Sequence, residues 1–168
     1  GDKEAVDALL EDPRVQAIGF VGSTPIAQYI YATAAANGKR AQCFGGAKNH
    51  MVIMPDADLD MAADALMGAG FGSAGERCMA ISVAVPVGKA TGDALVAKLE
   101  ERIADLKVGH SLAKDSDFGP VVAASAKERI EGYIQAGVDE GATLLADGRG
   151  LKVEGYDGGF WVGPTLFD

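Results

Sequence analysis

The sequence holds little that would let it cross a membrane, grip nucleic acid or depend on covalent cross-links. No apolar run approaches the ~20 residues of a bilayer-spanning helix, because glycine and charged residues interrupt every hydrophobic stretch. Lysine and arginine number 15 against 24 aspartates and glutamates, a formal net charge of −9. That sign opposes the electrostatic footprint of a DNA- or RNA-binding domain. Two cysteines, Cys43 and Cys78, permit one disulfide at most. Such sparse use suits a reducing compartment (cytoplasm, or the mitochondrial matrix in a eukaryote) better than a secreted scaffold. The two histidines, His50 and His110, are not spaced as metal ligands with each other or with the cysteines, so no metal is expected. No signal-peptide pattern opens the chain. By contrast, 48% of residues are hydrophobic, enough for a core and incompatible with wholesale disorder. Glycine is abundant, 23 of 168 residues, about twice the usual share. That bias predicts several tight turns or close backbone approaches.

Hydrophobic periodicity predicts alternating helices and strands. A short helix is expected over residues 2–10, stopped by Pro13, and a strand over 15–21. Thr24 is the expected N-cap of a helix with Pro25 at its first position, running to about Asn37. Two short strands follow, 41–44 and 51–54. A helix opening at Pro55 carries Leu59, Ala62, Leu66 and Ala69 on one face. A strand over 82–87 precedes an amphipathic helix over 92–106, whose charged side is expected to face solvent. Ser125-Ala126-Lys127-Glu128 reads as a capping box opening a helix that ends at Gly141. Strands are expected over 142–146 and 160–167. This alternation argues an α/β domain with a largely parallel sheet. The missing initiator methionine and a final apolar strand with no covering helix suggest a fragment of something longer. A complete domain ending on an edge strand is the other reading.

Three places could carry chemistry. Phe20-Val21-Gly22-Ser23-Thr24-Pro25 joins a strand to a helix N-terminus, an arrangement suited to phosphate: orphan N–H groups and the positive dipole end face the anion, and glycine lets it approach. A plain tight turn would use the same residues. Cys78 follows the small-residue run Gly72-Ser73-Ala74-Gly75 with Arg77 beside it. A reactive thiol needs exposure and an electropositive setting, and N–H groups of a glycine-containing turn can hold an oxyanion. A buried structural cysteine is the alternative, and it is the reading preferred for Cys43 in its apolar strand. Asp56, Asp58, Asp60 and Asp64 read as favourable charge at a helix N-terminus.

In order and spacing, Phe20-Val21-Gly22-Ser23-Thr24, Gly46-Ala47-Lys48, Asp56-Ala57-Asp58, Gly75-Glu76-Arg77-Cys78, Phe118-Gly119-Pro120 and Gly163-Pro164-Thr165 resemble the aldehyde dehydrogenase superfamily. The resemblance covers essentially all 168 residues. Gly45-Gly46-Ala47-Lys48-Asn49-His50 and the run from Gly72 to Ala80 resemble its CoA-acylating, methylmalonate-semialdehyde branch. The resemblance implies a three-layer α/β fold with a largely parallel sheet, truncated at both ends. Residues 1–46 would be the end of a Rossmann-like NAD-binding domain and 47–168 the larger part of the catalytic domain. It implies NAD as cofactor, coenzyme A as acyl acceptor, a small aldehyde as substrate, no nucleic-acid or membrane partner, and a homotetrameric full-length parent. Cys78 matches the catalytic nucleophile, and Gly22 and Ser23 match the turn that meets the cofactor pyrophosphate. Arg77 is a candidate to pair with a substrate carboxylate, or else a solvent-facing charge that tunes Cys78.

The chain departs from the superfamily pattern in two places. A second glycine beyond the pyrophosphate turn is replaced by Ala27. Where most relatives carry a glutamate general base, this sequence has Phe44. Hydrolysis of a thioester on Cys78 needs a base to activate water, so Phe44 disfavours water and leaves the acyl group to a better nucleophile, the CoA thiol. A non-catalytic α/β module and a hydrolytic aldehyde dehydrogenase are the competing readings. The fragment, lacking half of the cofactor site, is expected to be inactive alone.

Overall fold

The computed structural model describes residues 2–168. They form two compact units, one up to Ala47 and the other from Lys48 onward.

In the first unit, helix α1 (Lys3–Glu11) is opened by Asp2, whose carboxylate accepts the Lys3 N–H. Strand β1 (Ala17–Val21) leads through a short turn into α2 (Thr24–Ala36) and back to β2 (Arg40–Phe44). The strands are parallel and in register from Ala17 opposite Arg40 to Val21 opposite Phe44. Strand alternation then assigns the faces. Ile18, Phe20, Ala41 and Cys43 pack on Leu10, Ile30 and Ala34 of the helices, whereas Val21 and Phe44 stay exposed. Cys43 is therefore part of the packed side. Leu9 of α1 is also exposed. Lys39 is buried, its ammonium donating to the carbonyls of Asp12 and Val15 at 2.6 and 2.7 Å, which satisfies a charge that would be costly unpaired.

The second unit begins with β3 (Asn49–Ile53) and continues through α3 (Leu59–Phe71), a 3₁₀ turn over Gly72–Gly75, β4 (Ile81–Pro86) and α4 (Lys89–Asp105). After a long irregular stretch come α5 (Ala124–Asp139), β5 (Leu144–Ala146) and β6 (Leu166–Phe167). β3 and β4 are parallel, with an irregularity between Asn49 and His50. Ile53 of β3, Ala63 and Leu66 of α3, and Leu95, Leu99 and Ile103 of α4 form the main core. Each large aliphatic side chain so buried contributes on the order of 1.5–3 kcal/mol.

Several details differ from the expectations above, each for a local reason. Ser23, not Thr24, is the N-cap of α2; the Thr24 hydroxyl instead accepts the Gly46 N–H at 3.0 Å. α3 begins at Leu59, because Asp58 caps it by accepting the N–H groups of Asp60 and Met61. The capping box does not form: α5 starts at Ala124 behind Ala123, so Ser125 already lies inside the helix. The segment expected to be a strand from 160 is paired only at Leu166–Phe167, and that pairing with β5 is antiparallel. The charged side of α4 is not purely solvated. Lys98 reaches Asp60 at 2.7 Å, and Arg102 reaches Asp60 and Asp64 at 3.0 and 2.6 Å. Two of the aspartates expected merely to charge a helix terminus therefore bridge α3 to α4.

Candidate active site and cofactor turn

The most unusual backbone of the second unit immediately precedes Cys78. Ser73 and Ala74 take φ values of 55° and 53°, and Gly75 follows at 71°. Three successive left-handed residues, two of them with side chains, are strained, and strain of this kind gathers where surrounding structure enforces a functional shape. Ala74 is held from below, packed against the small core of Val121, Ala126 and Val162. A 190 Å³ apolar crevice lies under the turn, lined by Phe71, Ala74, Phe118 and Val162 among others, and neither Arg77 nor Cys78 lines it. The turn is thus packed on its inner side while Cys78, past it, is exposed.

The peptides around Cys78 are held by their carbonyls. Ala80 N–H donates to the Arg77 carbonyl at 3.0 Å. The Asn49 side-chain amide donates to the carbonyls of Cys78 and Ala80, each at 2.9 Å. All peptide bonds among the described residues are trans, so each N–H points opposite the carbonyl of its own planar unit. Fixing the Arg77 and Cys78 carbonyls therefore aims the N–H groups of Cys78 and Met79 the other way, and neither has an acceptor among the described residues. An exposed thiol next to two such donors can add to a carbonyl carbon while developing oxyanion charge is stabilised. Arg77 lies over the backbone of Gly72, its guanidinium 3.1 Å from where a Cβ would stand there. It enters no ion pair among the described residues, so its fork remains available to an anionic group.

In the first unit, Gly22 and Ser23 occupy the turn between β1 and α2. The Ser23 side chain makes no capping bond, and Pro25 stands at the start of the helix. The N–H groups of Thr24 and Ile26 have no acceptor among the described residues, as expected of a first helical turn. A free hydroxyl, free N–H donors and the positive end of a 13-residue helix suit a pyrophosphate, so the residues present fit a dinucleotide at this turn. Ala27, in place of the second glycine, is buried on the inner side of α2. Its methyl group is thus part of the packing and stays clear of the turn. Phe44 is exposed at the end of β2.

The histidines do other work. The His50 ring nitrogen Nδ1 lies 2.9 Å from the Lys48 carbonyl. His110 stacks on Tyr156 with centroids 4.9 Å apart and accepts the Leu112 N–H at 3.2 Å. No group of three His, Cys, Asp or Glu side chains able to hold a metal ion occurs among the described residues, and none of their helices is long and apolar enough to cross a membrane. Asn49, which the sequence shows only within the Gly45–His50 motif, carries two donors at the start of a strand and fastens the cysteine loop through the Cys78 and Ala80 carbonyls.

Comparison with known proteins finds relatives along the whole chain. The chain is 60% identical over 168 residues to malonate-semialdehyde dehydrogenase of Pseudomonas aeruginosa and 48% identical to that of Halalkalibacterium halodurans. It spans all of its own length but 34% of each relative's. The crystal structure of methylmalonate-semialdehyde dehydrogenase from Oceanimonas doudoroffii matches with a TM-score of 0.96 at 59% identity, over 99% of this chain and 34% of that one. A structure from Sinorhizobium meliloti 1021, assigned to the same activity and complexed with NAD, matches with the same values. The Aldehyde dehydrogenase family model matches residues 1–168, and the chain belongs to that family.

Proposed function

We propose that this chain is the central part of an NAD-dependent, CoA-acylating dehydrogenase of malonate or methylmalonate semialdehyde, with residues 1–46 ending its NAD-binding domain and 47–168 making up most of its catalytic domain. The carrying observation is Cys78, exposed beyond a strained turn with the N–H groups of Cys78 and Met79 unpaired. The names of the relatives support the substrate class, and the NAD complex of a structural neighbour supports the cofactor.

In this reading the Cys78 thiolate forms an S–C bond to the aldehyde carbon, and the carbonyl π pair moves onto oxygen, where the Cys78 N–H receives it. Bound NAD supplies a hydride acceptor. When the hydride leaves the former aldehyde carbon, the oxygen lone pair re-forms C=O and a thioester remains on Cys78. The thiolate of coenzyme A attacks that carbonyl carbon, the bond to Cys78 breaks, and acyl-CoA departs as the cysteine thiolate is restored. Arg77 pairs with the carboxylate at the far end of the semialdehyde. Gly22 and Ser23 receive the pyrophosphate. Phe44 carries no group able to accept a proton, which favours coenzyme A over water as the acyl acceptor. The full-length protein works as a cytoplasmic homotetramer, and the fragment alone is inactive.

The test is steady-state NADH formation by the full-length enzyme from each semialdehyde, with and without coenzyme A. Wild type is expected to need coenzyme A, and Cys78→Ser is expected to abolish turnover. Undiminished activity in Cys78→Ser would overturn the assignment.

A further inference from the structure

We propose that Gly72 is the positioning residue for the Arg77 guanidinium: having no side chain, it leaves open the seat in which that group lies over the end of α3, and it thereby sets the preference for aldehydes that carry a carboxylate. This rests on the reading of Arg77 as the partner of the substrate carboxylate.

The inference starts from space. The three atoms nearest to where a Cβ would stand on Gly72 all belong to Arg77: Nη1 at 3.1 Å, Cζ at 3.3 Å and Nη2 at 3.6 Å. The guanidinium therefore fills the place that a side chain at position 72 would take. Backbone conformation does not call for glycine there. Gly72 has φ −53° and ψ 132°, an extended region open to every residue, unlike Gly75 at φ 71°. Contact with Arg77 is what a larger residue would disturb.

Electrostatics favours the same seat. Gly72 ends α3, its N–H donating to the Gly68 carbonyl. The last carbonyls of a 13-residue helix carry partial negative charge, which attracts a cation. The last turn of α3 has no basic residue of its own, so Arg77 brings the cation from five residues further on. The left-handed run Ser73, Ala74 and Gly75 turns the chain back and makes that return possible. Held by its face against the helix end, the planar fork keeps the N–H donors along its edge for a carboxylate. Malonate semialdehyde and propanal have the same three carbons, and only the first has a carboxylate to receive that fork.

The experiment uses the full-length enzyme carrying Gly72→Ala, Gly72→Val, Arg77→Gln and the double variant Gly72→Val/Arg77→Gln. The readout is the ratio of kcat/KM for malonate semialdehyde to kcat/KM for propanal, from NADH formation with coenzyme A present. Gly72→Ala displaces the guanidinium by a few tenths of an ångström and should lower the ratio about 3-fold. Gly72→Val removes it from its seat and should lower the ratio about 10–100-fold, the loss expected when hydrogen bonds to a charged group are broken. Arg77→Gln should lower it as much, and the double variant no further than Arg77→Gln alone. A purely structural role for Gly72 would reduce activity toward both aldehydes together, with a lower melting temperature and an unchanged ratio, and that result overturns the proposal. So does a Gly72→Val loss of the same size in the Arg77→Gln background, because the glycine would then act through something other than Arg77. If Gly72→Val does not fold, the alanine variant decides: an unchanged ratio refutes, a fall of about 3-fold supports. Failure of the underlying reading shows separately, as an unchanged ratio in Arg77→Gln.

Discussion

The Thr24 hydroxyl accepts the Gly46 N–H at 3.0 Å, and a Cβ on Gly45 would stand 2.7 Å from that same oxygen and 3.1 Å from Thr24 Cα. The chain leaving β2 therefore passes directly over the first turn of α2, next to the Gly22-Ser23 turn, and only glycine fits there. Replacing Gly45 by alanine must push the backbone off the helix terminus. Gly45→Ala is expected to destabilise the full-length enzyme by about 1–3 kcal/mol, the cost of overpacking. Because part of the clash is with Thr24 Cα, the double variant with Thr24→Ala should recover only part of that loss. Denaturant unfolding of the single and double variants measures both.

Strain in the nucleophile turn gives the opposite sign. Ser73 is exposed and left-handed, so Ser73→Gly removes a conformational penalty of about 1–2 kcal/mol and loses part of it again to the greater freedom of glycine in the unfolded chain. A net gain of about 0.5–1 kcal/mol follows, seen as a higher melting temperature. Ala74→Gly should gain less, because the Ala74 methyl packs on the Val121, Ala126 and Val162 core. A Ser73→Gly variant that melts below wild type would show that the turn is not strained.

Phe44→Glu should open a hydrolytic route. General-base assistance is worth about 10²–10⁴-fold in well-formed sites, and an introduced base without its supporting partners should reach on the order of 10-fold. The expected outcome is that much more NADH formation in the absence of coenzyme A. Unchanged dependence on coenzyme A would mean that Phe44 does not set the choice of acyl acceptor.

The α3–α4 ion cluster predicts a pH effect. Hydrogen bonds from Lys98, then Arg102, hold the Asp60 carboxyl below the ordinary aspartate range. A lowered folded value means stability that is present above the unfolded pKa of ~3.9 and disappears as pH falls through the lower folded value. Wild type should therefore lose melting temperature more steeply than Asp60→Asn below about pH 4. At pH 7 the two should differ little, since exposed pairs contribute little. Parallel melting curves across the acid range would show no linkage through Asp60.

Residues whose role depends on neighbours in sequence were legible from the start. The strand over 15–21, the three- and four-residue spacing of Leu59, Ala62 and Leu66, and the glycine-rich approach to Cys78 are local patterns, and the periods of strand and helix are set by backbone geometry alone. The capping assignment at Thr24 failed where a partner came from elsewhere in the chain. Thr24 serves Gly46, 22 residues away, and the aspartates of α3 meet Lys98 and Arg102 across 38 or more residues. Strand 160–167 shrank to two residues because an edge exists only where a partner strand supplies hydrogen bonds.

By itself the sequence determined the α/β alternation, the family membership, and the presence of a thiol, a guanidinium and a glycine-serine turn in family order. Only the tertiary structure decided that Ser73 and Ala74 are left-handed, that Asn49 holds the carbonyls of Cys78 and Ala80, and that the Cys78 and Met79 N–H groups are left free. The physical reason is that backbone conformation and hydrogen-bond direction at a loop are chosen by packing and by donors brought from another strand, and neither leaves a periodic trace in the order of residues.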